Sequence, residues 1–252
     1  VITDQGVRRR SKEFIFMTQL AAVDNSSLQE RVYRELRCAL QQGRLTSGQQ
    51  LTIRALARAV GTSEMPVREA VKRLLAEGAL QQAANRSLQI VPIERARLQE
   101  MTRIRIALEG MAARLAVEAA DKTLATILGR INSEMRMALQ TRQAADVLSC
   151  NQEFHFTIYR AAESPQLFEI IEMLWLRSGP YLALAYAGPH DARPMFEQAT
   201  TIHDRLVKAL RRRDAEMVQQ SLALDIARAA DWYINHHQGE AGASAPIARR
   251  VR

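Results

Sequence analysis

Four polar side chains stand on otherwise apolar helical faces in the second half of the chain. Asn151 and His155 are four residues apart and share a face with Val147, Ile158 and Ala162. His203 falls among Ala199, Leu206 and Leu210, and Asp225 accompanies Leu222, Ile226 and Ala229. Residues three, four and seven apart lie on one side of a helix, so each polar group points inward with its apolar neighbours. Burying such a group without a partner costs roughly 2–7 kcal/mol. The four must therefore be satisfied by one another, by water or by an ion. Two imidazoles, a carboxylate and an amide oxygen suit a divalent Zn²⁺, Ni²⁺, Mn²⁺ or Fe²⁺. Taken singly, an inward His reads as a satisfied core residue; their coincidence on three helices leaves core network and metal site both open.

A second set of residues suits polyanion binding. Leu28, Val32, Leu36 and Leu40 recur every four residues as one amphipathic helix, with Ser26 or Ser27 as its cap and Gly43 after its end. Gln50–Ile53 reads as a short extended piece. Ala55, Leu56, Ala59 and Val60 form a second helix closed at Gly61. Thr62-Ser63 turns into a third, with Pro66 in its first turn, an apolar stripe from Val67 to Leu75, and Gly78 at its end. Leu80–Gln82 and Leu88–Val91 then read as a hairpin with a polar tip at 83–87. Helix, glycine turn, helix and hairpin is the layout of a winged helix-turn-helix, whose second helix enters the major groove by its N-terminal residues. Here those are Ser63, Glu64, Met65 and Arg68. Arg68 has the fork geometry for guanine or phosphate. Arg54 is placed for backbone phosphate and Arg86, at the hairpin tip, for a minor groove. Arg58, Lys72 and Arg73 add charge to the same module.

These two sets sit in a chain of 252 residues with a formal net charge of +8, 35 basic residues against 27 acidic. Only four of the basic residues are lysines (Lys12, Lys72, Lys122 and Lys208). The balance favours a polyanionic partner, although an arginine-rich genome gives the same bias. Hydrophobic residues make up 47% and charged residues 25%, which excludes wholesale disorder. No apolar run reaches the ~18 residues of a membrane span, and two cysteines, Cys38 and Cys150, exclude a disulfide framework. Arg8-Arg9-Arg10 followed by Glu13 does not read as a signal peptide, so the expected location is the cytoplasm. The domain reading is a mobile basic arm over 1–25, a winged helix over 26–92, a helical effector-binding and dimerisation domain over 93–237, and a flexible tail over 238–252. The expected fold is mainly α: the N-terminal winged helix-turn-helix plus a C-terminal all-α bundle of six helices. Its helices should break near Asp121, Arg142–Ala144, Ser164-Pro165, Gly188–Asp191 and Asp214. Gly179-Pro180 should kink or interrupt the fourth.

The segment QQLTIRALARAVGTSEMPVREAVKRLLAEGALQQ resembles the winged-helix head of GntR-family transcription regulators, most closely over MPVREAVKRLLAEG. The resemblance implies DNA contact by Arg54, Ser63, Glu64, Arg68 and the wing around Arg86. Glu64 departs from the Arg usual in the family, and is expected either to change the operator or to brace Arg68. The wing lacks the family's usual tip glycine; Asn85, Arg86 and Ser87 stand there. The body resembles the FCD domain of the FadR-like subgroup through RIALEGMAARLA, NQEFHFTIYRAAESPQL and IHDRLVKALRRRDAEMVQQSLALDIARA. Many members bind a divalent metal through one Asp and three His. The matching positions here hold Asn151, His155, His203 and Asp225, so two of the four differ. That leaves a retuned metal site and a metal-free variant both open. The family's effectors are small organic or sugar acids. Arg105 matches a cavity-facing position, where it would fork onto a carboxylate or pair with Glu109; Arg177 is a weaker effector candidate.

The expectation is thus a homodimeric regulator of a palindromic double-stranded DNA operator, repressing by preference and controlled by a small carboxylate, with no membrane partner. Two other classes stand beside it. One is a helical metal-dependent enzyme using two His and one carboxylate, against which count the missing general base, phosphate loop and nucleophile motif. The other is a DNA-binding protein without an effector.

Overall fold

The computed structural model describes residues 27–83, 87–92, 94–119, 123–187 and 190–236, the side chains of 182–187 excepted. The expected arm, tail, Asp121 cap and hairpin tip, with Asn85 and Arg86, lie outside the described residues.

The head begins with α1 (Leu28–Gln41), started by Ser27, whose Oγ accepts from the Glu30 amide at 3.2 Å. Strand β1 is only Gln50–Leu51, because Thr52 caps α2 (Ile53–Ala59) by accepting from the Ala55 amide. The extended piece expected to run through Ile53 is therefore two residues shorter. Helix α3 (Glu64–Ala76) buries Pro66, Val67, Ala70, Val71 and Leu74. Gly78, at φ +70°, takes the left-handed turn that returns the chain into β2 (Leu80–Gln82). β2 and β1 flank β3 (Leu88–Ile90) on either side, both antiparallel to it, with Gln81 and Gln50 each opposite Gln89.

Six helices follow among the described residues: α4 (Arg95–Ala119), α5 (Thr123–Gln140), α6 (Ala144–Arg160), α7 (Pro165–Ala187), α8 (Arg193–Arg211) and α9 (Ala215–His236). Asp214 caps α9, accepting from the Met217 amide at 3.0 Å. α4 packs on α9 and α6, α5 on α6 and α8, and α8 on α9. One apolar core is built around Phe154, Ile171 and Trp175, another around Leu98, Met135 and Phe196.

Helix α7 corrects the expectation of an interruption. It runs unbroken through Gly179 and Pro180. Proline removes a helical hydrogen bond at a cost of about 3 kcal/mol, but this stretch is clamped from both sides. Leu176, fully buried, belongs to the core of the head, not of the body. The Pro180 carbonyl accepts from the Ser47 amide, and the Glu172 carbonyl accepts from Gln41 Nε2. Gln41 Oε1 accepts in turn from Gln152 of α6. Packing on two fronts outweighs the local preference to break.

Gly179 shows how close the two parts come. A Cβ there would lie 2.3 Å from the Leu40 carbonyl oxygen and 2.7 Å from that of Gln41. Both are backbone atoms and cannot rotate away. Gly179→Ala should therefore push α1 off α7 and cost about 1–3 kcal/mol by overpacking, measured by urea unfolding of the full chain. An unchanged midpoint would contradict the close approach.

Candidate functional site

His155 on α6, His203 on α8 and Asp225 on α9 converge, each buried, with one ligand-type atom apiece within 4.8 Å of the others. His155 Nε2 lies 3.1 Å and His203 Nε2 3.7 Å from the same Asp225 Oδ2. Asn151, one turn before His155, is buried and lines the adjoining cavity.

The outward nitrogens of both rings are fixed by polar partners that the sequence reading did not single out. His155 Nδ1 lies 3.0 Å from the Tyr159 hydroxyl, and that hydroxyl donates its own hydrogen to Glu109 Oε2. Tyr159 therefore has only a lone pair to offer, and His155 Nδ1 must carry the proton. His203 Nδ1 lies 3.1 Å from Asn132 Oδ1. The Asn132 amide is oriented by donating to the Thr200 carbonyl and to Asp204, so His203 Nδ1 is likewise the donor. In the neutral rings both Nε2 lone pairs then face the Asp225 carboxylate. His203 Nε2 has no hydrogen-bond partner and is buried.

Electrostatics sharpen the arrangement. Burial pushes the His203 imidazole below its ordinary pKa, against the pull of Asp225, and keeps it neutral. Burial alone would raise Asp225, but the His155 and His203 imidazoles beside it hold its carboxyl below the usual range. Arg105 is buried and pairs Nε to Glu109 Oε1 at 2.6 Å, while its Nη1 donates to Tyr181 at 2.9 Å. Burial opposes its charge and Glu109 more than restores it. Arg105 and Glu109 thus neutralise each other, and Asp225 remains a buried carboxylate whose near neighbours are two imidazoles. An excess of electron pairs directed at one point is what a cation completes.

The cavity beside this cluster is small, about 30 Å³, and is lined by Arg105, Asn151, His155, Trp175, Tyr181 and Asp225 among others. Arg105 lines the cavity and is ion-paired with Glu109. Arg177 is corrected. It is not in the cavity lining; its Nε donates to the Glu77 carbonyl at 2.9 Å and its guanidinium packs over Gly78, fastening α7 to the head. Trp175 and Leu176 are adjacent residues with different surroundings, one lining the cavity and one in the head core.

The exposed face of the head carries the other candidates. Ser63 begins α3 without a side-chain capping bond. Met65 is 62% exposed, far from usual for so large an apolar side chain, and Arg68 and Arg54 face solvent. Arg68 Nη2 is braced by Glu64 Oε2 at 2.7 Å. Such an exposed pair is worth roughly 0–1 kcal/mol, so it opens readily. Arg73 is not free charge: it pairs with Glu30 at 2.6 Å and covers the Tyr33 ring at 3.5 Å.

Comparison with known proteins gives this geometry its family. Residues 28–90 match the bacterial regulatory proteins of the gntR family, and residues 100–228 match the FCD domain. The HTH-type transcriptional regulator McbR of Escherichia coli (strain K12) is 32% identical over 206 residues, 79% of this chain and 92% of McbR. The chain belongs to the GntR family, with an FCD domain. The solved structure of E. coli McbR/YncC superposes with a TM-score of 0.74 at 30% identity, covering 83% of this chain and 98% of that one. A gluconate operon transcriptional repressor of Bacillus subtilis (strain 168) is 24% identical over 76% of this chain and 79% of its own length. This GntR-family chain is therefore a DNA-binding transcription regulator, and the enzyme reading is set aside because its relatives are regulators. No helix among its described residues is long and apolar enough to cross a membrane.

Glu109, Tyr159, Asn132 and Trp175 escaped the sequence reading as site residues, though the signal was there for two. Asn132 is a polar group on the apolar face of Leu128 and Met135, and Tyr159 is four residues after His155. Tyr159→Phe leaves His155 Nδ1–H without its acceptor and takes one donor from Glu109, which keeps Arg105. It should cost about 1–3 kcal/mol in urea unfolding, and wild-type stability would show that the ring is not fixed in this way.

Proposed function

We propose that this regulator binds a palindromic operator as a homodimer and acts as a repressor whose DNA affinity is set by a small organic or sugar acid taken up beside Arg105. In this reading residues 26–92 are the reading head and 93–237 the sensing and dimerisation body. Arg68, with Ser63, Glu64 and Met65, meets base edges, Arg54 meets phosphate, and Arg86 belongs to the wing. Asn151, His155, His203 and Asp225 hold a divalent ion. When bound, that ion supplies a Lewis-acid anchor for effector oxygens.

The observation that carries the sensing part is the orientation of two buried imidazoles, each presenting Nε2 to one carboxylate oxygen. The residues fit a divalent ion by donor chemistry: two neutral nitrogens, one anionic oxygen and a neighbouring amide. The repressor role draws support from the printed name of the Bacillus relative.

Transmission is assigned to α7. Trp175 and Tyr181 line the cavity, while Leu176, Arg177, Gly179 and Pro180 hold the head. The cavity of about 30 Å³ has room for an ion or a water or two, so admitting an organic acid displaces its walls. Displacement of α7 alters the placement of the head, and with two heads on one operator a change of placement changes affinity.

The test is selection of binding sites from random duplex DNA by the full chain, followed by affinity measurement. Selected sites should be inverted repeats, because a two-fold dimer reads two-fold DNA. Arg68→Ala should lose about 1–3 kcal/mol on the selected site and relax its sequence preference, whereas Glu64→Ala should strengthen non-specific binding by freeing Arg68. Asymmetric sites, or an Arg68→Ala protein with undiminished affinity and preference, would overturn the assignment.

A further inference from the structure

Two arginines line the cavity, and they differ in kind. Arg105 is buried and neutralised by Glu109. Arg228, on α9 at the rim, is exposed, and among the described residues its guanidinium has no carboxylate partner. Its one hydrogen bond runs from Nη1 to the Gln198 side-chain oxygen of α8 at 2.9 Å, and Gln198 lines the same cavity. A neutral amide oxygen is a weak acceptor for a guanidinium compared with a carboxylate, which takes it in a bidentate, charge-assisted fork. The Arg228–Gln198 bond therefore closes the rim between α8 and α9 without compensating the Arg228 charge.

A second, independent feature lies deeper. Trp175 lines the cavity and is 1% exposed, and its indole Nε1 has no hydrogen-bond partner. A buried donor left unpaired waits for an acceptor. Asp225 and Arg228 are three residues apart on α9, so the inner cluster and the rim arginine share a face about one helical turn apart, ~5 Å.

We propose that Arg228 is the residue that selects the effector's charge: it leaves Gln198 to fork onto a carboxylate at the rim, while a second oxygen group of the same molecule reaches inward to accept from the Trp175 indole. The ligand class is a short acid carrying two oxygen groups about one helical turn apart, a small dicarboxylate or a hydroxy-carboxylate of similar length. This inference rests on the effector reading above and assigns to Arg228 the role that the sequence suggested for Arg105. Arg105 positions Tyr181 and Glu109; Arg228 meets the ligand.

The experiment titrates the full chain with linear dicarboxylates from oxalate to adipate and with their neutral diamides, by calorimetry and thermal shift. Metal content of each protein is measured in parallel. At least one dicarboxylate of intermediate length should bind and its diamide should not. Arg228→Gln should weaken that binding at least tenfold with unchanged metal content and unchanged unfolding temperature, since Arg228 is exposed. Arg228→Lys should fall between the two. Gln198→Ala should bind at least as tightly as wild type, because a competitor for the guanidinium is gone. Binding by wild type with no loss in Arg228→Gln would overturn the role of Arg228 and leave the effector reading standing. Equal binding of the diamides would overturn charge selection. No binding of any member of the series by wild type would overturn this inference; the effector reading, which also admits sugar acids, falls only if those too fail to bind.

Discussion

A carboxylate buried against two imidazole nitrogens is the constraint around which the body is organised. Asp225 on α9 draws His155 from α6 and His203 from α8 to one point, and each ring is held from behind by a polar side chain, Tyr159 of the same helix for His155 and Asn132 of α5 for His203. Asn132 of α5 holds His203, and through Tyr159 the Glu109–Arg105 pair of α4 holds His155; Arg105 reaches on to Tyr181 of α7. One continuous polar path thus touches all six body helices. A path of this kind is costly if any member is unpaired and specific if all are satisfied. It is satisfied everywhere except at its centre, where His203 Nε2 has no partner, and that is where the proposed ion would sit.

The same constraint explains how a body so far from the DNA-reading helix can govern it. The path ends on α7, and α7 is shared. Trp175 and Tyr181 line the cavity, while Leu176 packs into the core of the head. Gly179 lets the α1 backbone approach to a distance no side chain would permit. The junction is therefore a packed interface with main-chain and side-chain hydrogen bonds, not a loose tether, and such interfaces pass displacements on rather than absorbing them.

Much of this was legible in the sequence, and the reasons differ by element. The head could be read because its signals are local: capping Ser27, a turn at Gly61, apolar stripes and a hairpin. His155, His203 and Asp225 could be singled out because a polar residue on an apolar helical face is conspicuous at period 3.6. Their convergence could not be read, since helix order does not give helix neighbours. Pro180 misled because a local rule was applied where packing on two sides prevails. Arg177 misled for a related reason: its neighbours Trp175 and Tyr181 do line the cavity, but a residue between them on a helix points elsewhere. Arg228 was passed over because an exposed arginine on a helix has no distinguishing pattern; only the cavity marks it.

The central claim is that the His155–His203–Asp225 cluster is built to hold a divalent cation, and metal content answers it most directly. Untagged full-length protein, purified without chelator, should contain close to one divalent ion per chain by plasma mass spectrometry. Removing that ion should lower the unfolding temperature: a ligand present at 100 times its Kd contributes about 2.7 kcal/mol, which is about 5–10 °C for a chain of this size. His155→Ala should contain none. A wild-type protein that stays free of metal after supplementation, with an unfolding temperature indifferent to added Zn²⁺, Ni²⁺ or Mn²⁺, would contradict the account and leave the cluster a closed network of core hydrogen bonds.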